Sequence, residues 1–164
     1  MKNLWAPWRK AYISGQKKTS GCFFCQDLRA SPKKDKINLL LFRSRFAFIL
    51  LNRYPYTNGH LMLVPNRHVP SLERLKDSER LDLLKLLDLA LQLLKKSLHP
   101  HGFNVGMNLG RIGGAGVPGH VHLHVVPRWK GDTNFMPVLT GTKIISDSLQ
   151  STYLELSRVI QTIK

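Results

Sequence analysis

Residues 120–126 read His-Val-His-Leu-His-Val-Val. On a β-strand, successive side chains point to opposite faces. His120, His122 and His124 therefore share one face, and Val121, Leu123 and Val125 the other. The apolar face must be buried, so the histidine face looks onto something polar. Neutral imidazole is a nucleophile, a metal ligand and a proton carrier near neutral pH. Just upstream, Gly110, Gly113, Gly114, Gly116 and Gly119 form a glycine-rich loop. Backbone N–H groups in such a turn make a concavity for anions, and missing Cβ atoms let a phosphate come close. The loop is not a G-x-x-x-x-G-K-[ST] motif, and no G-x-G-x-x-G opens a helix there. A glycine loop running into three same-face histidines points to phosphate-ester or phosphoanhydride chemistry with a histidine nucleophile.

A second group of residues with chemistry lies near the N-terminus. The chain has two cysteines, Cys22 and Cys25, spaced C-x-x-C. That spacing reads as half a zinc site or as a redox pair. A redox pair is expected to open a helix in a βαβ setting, whereas this one follows a polar loop. A closed tetrahedral zinc site needs two more ligands, and histidine is the available type.

The pattern from His120 to Val126 resembles the H-φ-H-φ-H-φ-φ signature of the histidine-triad (HIT) superfamily of nucleotide hydrolases and transferases. The flanking NLGRIGGAGVPGHVHLHVVPRWKGDTNFMPV, the stretch LLNRYPYTNGHLMLVPNRHV and the opening LWAPWRKAYI are similar to its bacterial branch acting on diadenosine polyphosphates. The resemblance implies an α+β, HIT-like fold: about five mainly antiparallel strands with helices packed on one face. It implies a homodimer in which the two sheets run on. The nucleophile it implies is His122, forming a nucleotidyl-histidine intermediate at the α-phosphate, with His124 assisting the leaving group and His120 beside them. Asn108 and the loop around Gly114 and Gly116 hold the phosphate oxygens. Asn52 contacts ribose, His60 lines or supports the cleft, and Trp129 stacks on a base or packs the dimer. Zinc-binding members of the family use four residues that carry over as Cys22, Cys25, His68 and His120, a structural site of a kind that suits zinc.

The expected activity is cleavage of a dinucleoside polyphosphate, such as diadenosine tetraphosphate, by hydrolysis or nucleotidyl transfer. A phosphorylase using inorganic phosphate is the main alternative. Family members of that kind carry a small polar residue where this chain has Ala115-Gly116-Val117. A nucleoside phosphoramidase, an enzyme removing adenylate from DNA ends and a non-catalytic zinc-stabilised nucleotide-binding protein are further alternatives.

The length of 164 residues and an apolar content of 43% suit one domain, with residues 1–21 as an N-terminal arm and 22–164 as the core. The formal charge of +15 comes from scattered lysines and arginines, which favours a polyanionic ligand and leaves nucleic acid open as a partner. No secretory signal or membrane-length apolar run is present, so a soluble, cytoplasmic protein is expected.

Several elements must position these residues. Apolar runs at 37–43 and 46–52 read as a hairpin, and 60–65 as a third strand. Residues 71–98 read as helical, with Ser71 capping a first turn and Asp77 or Ser78 a longer helix. Its expected apolar stripe is Leu81, Leu84, Leu87 or Leu89, Leu91 and Leu94, broad enough to meet a partner, with Pro100 ending it. Residues 103–109 read as a strand leading into the glycine loop. Residues 146–163 form an amphipathic helix with Leu149, Tyr153, Leu156, Val159, Ile160 and Ile163 on its apolar side.

Overall fold

The structure is a computed structural model that describes residues 21–132 and 147–163. The expected arm, with Trp5, Trp8 and Tyr12, and the loop beyond Asp132 lie outside the described residues.

Five strands form one sheet in the order β1-β2-β3-β5-β4: β1 is Leu40–Arg43, β2 Ala47–Leu51, β3 Leu61–Pro65, β4 Gly102–Gly106 and β5 Leu123–Arg128. All four pairings are antiparallel. The helices are α1 (Phe23–Arg29), α2 (Asp35–Asn38), α3 (Asp77–Leu98) and α4 (Leu149–Ile160). None of those described is long and apolar enough to cross a membrane.

The sheet is covered on both faces over β1–β3, not on one as expected. Every residue of β2 and β3 is buried. On one face Ile49, Leu61, Leu63, Val121 and Val125 pack with α3 and α4. On the other, Leu40, Phe48, Leu50, Met62 and Val64 pack under Phe24 of α1. A short helix from the C-x-x-C segment thus roofs the histidine face, which the loop-like composition of 22–35 did not disclose.

Strand limits shift for local reasons. β1 begins at Leu40 rather than 37, because Asp35–Asn38 wind a helical turn that ends with Leu39 at φ 60°. β4 ends at Gly106, so Met107–Leu109 belong to the loop. Ser71 precedes a short 3₁₀ turn, Leu72–Arg74. The long helix α3 starts after Lys76, whose N–H is taken by the Glu79 carboxylate (2.7 Å) rather than by a Ser or Asp cap. Its buried residues are Glu79, Leu83, Leu86, Ala90, Leu93 and Leu94, while Leu81 and Leu84 are exposed. A leucine-rich helix fits several stripes, and only the sheet beneath selects one. The expected side of α4 does pack on the core, and the Ser148 hydroxyl caps it through the Ser151 N–H.

Candidate active site

The three histidines lie at and just before the start of β5, and each has different partners. His120 is fully buried against Phe24, their ring centroids 5.4 Å apart. Its Nε2 lies 2.8 Å from the Pro65 carbonyl. A carbonyl only accepts, so Nε2 carries the proton and Nδ1 is bare. That Nδ1 lies 3.3 Å from Cys22 Sγ and 3.6 Å from Cys25 Sγ. His68 Nδ1 is 3.4 Å from Cys25 Sγ. The donor atoms of Cys22, Cys25, His68 and His120 all fall within 4.8 Å of one another, a cluster able to hold a metal ion. Gly119 makes room for it: a Cβ there would stand 3.1 Å from His68 Nε2. Burial first, then the neighbouring Cys22 sulfur, pushes the Cys25 thiol up, so a pair of thiolates here calls for a cation. Burial holds the His120 imidazole down to about 4, against the pull of the Pro65 carbonyl.

His122 is 4% exposed and also lies under Phe24, at 5.0 Å between centroids. Its Nδ1 donates to the carbonyl of His120 at 2.9 Å, leaving the lone pair on Nε2. Burial lowers its pKa, opposed by that carbonyl, and the ring is neutral at pH 7.

His124 has the opposite tautomer, set by a chain that starts in the backbone. The N–H of Tyr56 can only donate, and it donates to His60 Nδ1 (3.1 Å). His60 Nε2 therefore carries a proton and donates it to His124 Nδ1 (2.9 Å). The proton of His124 is consequently on Nε2. The rings of His122 and His124 are edge to face, 4.8 Å between centroids. A bare nitrogen and an N–H donor thus stand side by side.

His60 itself is fully buried. Of the two roles expected for it, its contacts fit support: it meets His124 and Tyr56, both of which border the cavity described below. Gly59 (φ +73°) permits the turn that delivers it, and a Cβ there would lie 2.3 Å from Leu98 Cδ1. Asn52 follows β2. Its Oδ1 accepts from the Tyr54 N–H (2.9 Å), and its Nδ2 lies 3.3 Å from His60 Nδ1. These contacts use half of what an amide offers.

Asn108 sits at the mouth of the glycine loop, its Nδ2 3.4 Å from the carbonyl of Gly114, which has φ +85°. Gly114 and Gly116 are exposed. Trp129 gives its indole N–H to the carbonyl of Leu98 at the end of α3 (3.2 Å). It stands outside the residues that border the cavity beside His124.

Beside His124 opens a cavity of about 370 Å³, bordered by Tyr56, Asn104, Met107, Asn108 and Arg128. Of these, only Asn108 stood out in the sequence. The signal for Arg128 was available: it is on the histidine face of β5, two alternations past His124.

Residues 34–131 match the HIT domain family. The chain is 38% identical over 157 residues, 93% of its length and 80% of the relative's, to a Mycobacterium tuberculosis protein named AP-4-A phosphorylase. It is 33% identical over 93 residues, 57% of this chain and 50% of the relative, to the asymmetrical bis(5'-nucleosyl)-tetraphosphatase of Schizosaccharomyces pombe. The fold is similar to that of a Zn-bound histidine triad family protein from Mycobacterium smegmatis, with a TM-score of 0.68 at 20% identity, covering 87% of this chain and 95% of that one. This chain belongs to the HIT family.

Proposed function

We propose that the protein is an enzyme that cleaves dinucleoside polyphosphates, such as diadenosine tetraphosphate, at an α-phosphate through a nucleotidyl intermediate on His122. One observation carries the residue assignment: adjacent histidines held in opposite tautomers, His122 with a bare Nε2 and His124 with a protonated one. The relatives' names support the substrate class. In the first step the Nε2 lone pair of His122 forms a bond to phosphorus, and the bond to the bridging oxygen breaks. The electron pair leaves with that oxygen, which takes a hydrogen bond or the proton from His124 Nε2. Asn108 and the amides near Gly114 and Gly116 receive the charge on the phosphoryl oxygens. In the second step an acceptor oxygen forms a bond to phosphorus and the bond to His122 breaks; Nε2 of His122 regains its lone pair, and a proton on the acceptor passes to His124 if that ring gave its own to the leaving oxygen, otherwise to solvent. The unused half of the Asn52 amide is available to ribose hydroxyls, and His60 positions His124.

Two acceptors divide the reading. Water gives AMP and ATP from diadenosine tetraphosphate; inorganic phosphate gives ADP and ATP. Similarity to the mycobacterial phosphorylase over 93% of the chain favours phosphate, whereas Ala115-Gly116-Val117 lacks the small polar residue expected of phosphorylases.

We propose that Cys22, Cys25, His68 and His120 hold zinc. Tetrahedral zinc with ordinary bond lengths sets sulfur and nitrogen ligands about 3.5 Å apart; three of the four sulfur–nitrogen distances here are 3.3, 3.4 and 3.6 Å. Bound there, zinc would cross-link α1 to the start of β5. His120, its Nε2–H fixed on Pro65, would present Nδ1 to the ion while its carbonyl holds His122. A homodimer is part of the proposal, and β4 offers an edge strand for extending the sheet; gel filtration reads it.

The test is turnover of diadenosine tetraphosphate with and without phosphate, products separated by ion exchange. Wild-type protein should turn over, and His122→Ala should not. Normal turnover by His122→Ala would overturn the nucleophile assignment.

A further inference from the structure

The chemistry at His122 assigns no occupant to the cavity beyond His124. In the mechanism proposed above His124 Nε2 meets the leaving oxygen, so the leaving group lies on the side of His124. From His124 the same face of β5 continues through Val126 to Arg128, about 13 Å along the strand. The neighbouring β4 lies alongside: Gly106 pairs with His124, Asn104 with Val126 and Gly102 with Arg128. Gly106, which borders the cavity, would have open space around any added Cβ, so the cavity floor is low there.

At the far end the guanidinium of Arg128 is held from two sides. Its Nε and NH2 donate to the Asp132 carboxylate, and NH1 donates to Asn104 Oδ1 (2.7 Å). Among the described residues these contacts take three of its five N–H groups. One N–H on each terminal nitrogen remains, the fork that grips two oxygens of a phosphate. A surface arginine serving only as a cross-link needs no cavity in front of it. This one borders about 370 Å³ together with Asn108 and Tyr56.

We propose that Arg128 is a specificity-determining residue that binds the outer phosphates of the leaving polyphosphate, so that the enzyme prefers longer chains. The inference rests on the function proposed above and deepens it. Asp132 and Asn104 aim the guanidinium and reduce the rotamer entropy lost when the phosphates bind. A diadenosine triphosphate leaves with one phosphate fewer and engages Arg128 less fully than a tetraphosphate. An adenylyl ester without a polyphosphate does not engage it at all.

The experiment compares kcat/KM for diadenosine tetraphosphate, diadenosine triphosphate and the p-nitrophenyl ester of AMP, in wild type and Arg128→Gln. The expected result is a fall in the tetraphosphate-to-ester ratio of roughly 10- to 100-fold, the scale of a charge-assisted phosphate contact, with a smaller fall for the triphosphate. An unchanged ratio, or equal loss on all three substrates, overturns the proposal. A triphosphate loss equal to the tetraphosphate loss overturns the length selection. If wild type cleaves the ester but neither dinucleotide, the substrate class proposed above fails and this inference with it. If it cleaves both dinucleotides and only the Arg128→Gln ratio stays level, this inference alone fails. Should Arg128→Gln not fold, Asn104→Asp decides: it puts a carboxylate at an exposed edge position beside NH1 and should lower the same ratio; a level ratio there is equally fatal.

Discussion

The tautomer chain from Tyr56 through His60 to His124 makes a prediction about a residue that touches no substrate. Replacing His60 by methionine keeps the bulk and removes the N–H that donates to His124 Nδ1. Imidazole tautomers are close in energy, so the His60 donor is what biases the His124 proton towards Nε2. A buried hydrogen bond of this kind carries about 1–3 kcal/mol, or roughly 5- to 150-fold in rate where the transition state needs it. His60 is fully buried, so water does not substitute for the lost donor. The loss should depend on the leaving group: large for an adenosine phosphoramidate, whose amine must take a proton, and small for the p-nitrophenyl ester, whose phenolate leaves unaided. His60→Gln retains an amide N–H toward His124 and an oxygen for the Tyr56 N–H, and should recover part of the phosphoramidate activity. The assay is kcat with both substrates for the two variants, alongside thermal melting, because His60→Met also strands the Tyr56 N–H at a cost of about 1–3 kcal/mol. Equal losses on both substrates, or no recovery with glutamine, would refute the relay and leave His60 a packing residue.

Further expectations follow from the other contacts. Stripping the metal with a chelator, or making Cys22→Ser, should release about one zinc per chain and lower Tm by roughly 5–10 °C, since the cross-link from α1 to β5 is lost; metal analysis and calorimetry read both. Gly119→Val should lower zinc occupancy without unfolding the chain, because its Cβ meets His68 Nε2 at 3.1 Å. Hydrogen bonds from Arg67 hold the Glu79 carboxyl down to about 2 from an ordinary 4.5. A carboxylate held low binds fewer protons folded than unfolded, so its stabilisation is complete above the ordinary range and drains as pH falls from about 4.5 towards 2. Glu79→Gln should therefore be less stable at pH 7 and lose less on acidification across that window, as read by denaturant midpoints.

What could be read in the sequence and what could not differ in physical kind. The alternation of Val121, Leu123 and Val125 with the histidines is a period-two signal. It needs only one buried face, and the core beneath α3 and α4 supplies it. The clustering of Cys22 and Cys25 with His68 and His120 spans 98 residues; no periodicity could give it, and only the family resemblance did. The helix α3 shows the limit of pattern alone. With leucine at 81, 83, 84, 86, 87, 89, 91, 93 and 94, more than one stripe is self-consistent, and Leu81 and Leu84 turn out to face solvent. The tautomers were beyond reach for a different reason. They depend on which carbonyl or N–H a ring nitrogen meets, and those partners are the backbone of Pro65, His120 and Tyr56, whose side-chain identities are irrelevant to the bond. Three imidazoles that are identical as letters thus become a bare nitrogen facing two cysteines, a bare nitrogen beside the cleft and a proton donor, each specified by main-chain geometry. Arg128 is silent in the sequence for the same physical reason. As a letter it closes a strand; as a side chain it continues the histidine face, and its two remaining N–H groups take on meaning only once Asn104 and Asp132 are seen to occupy the others.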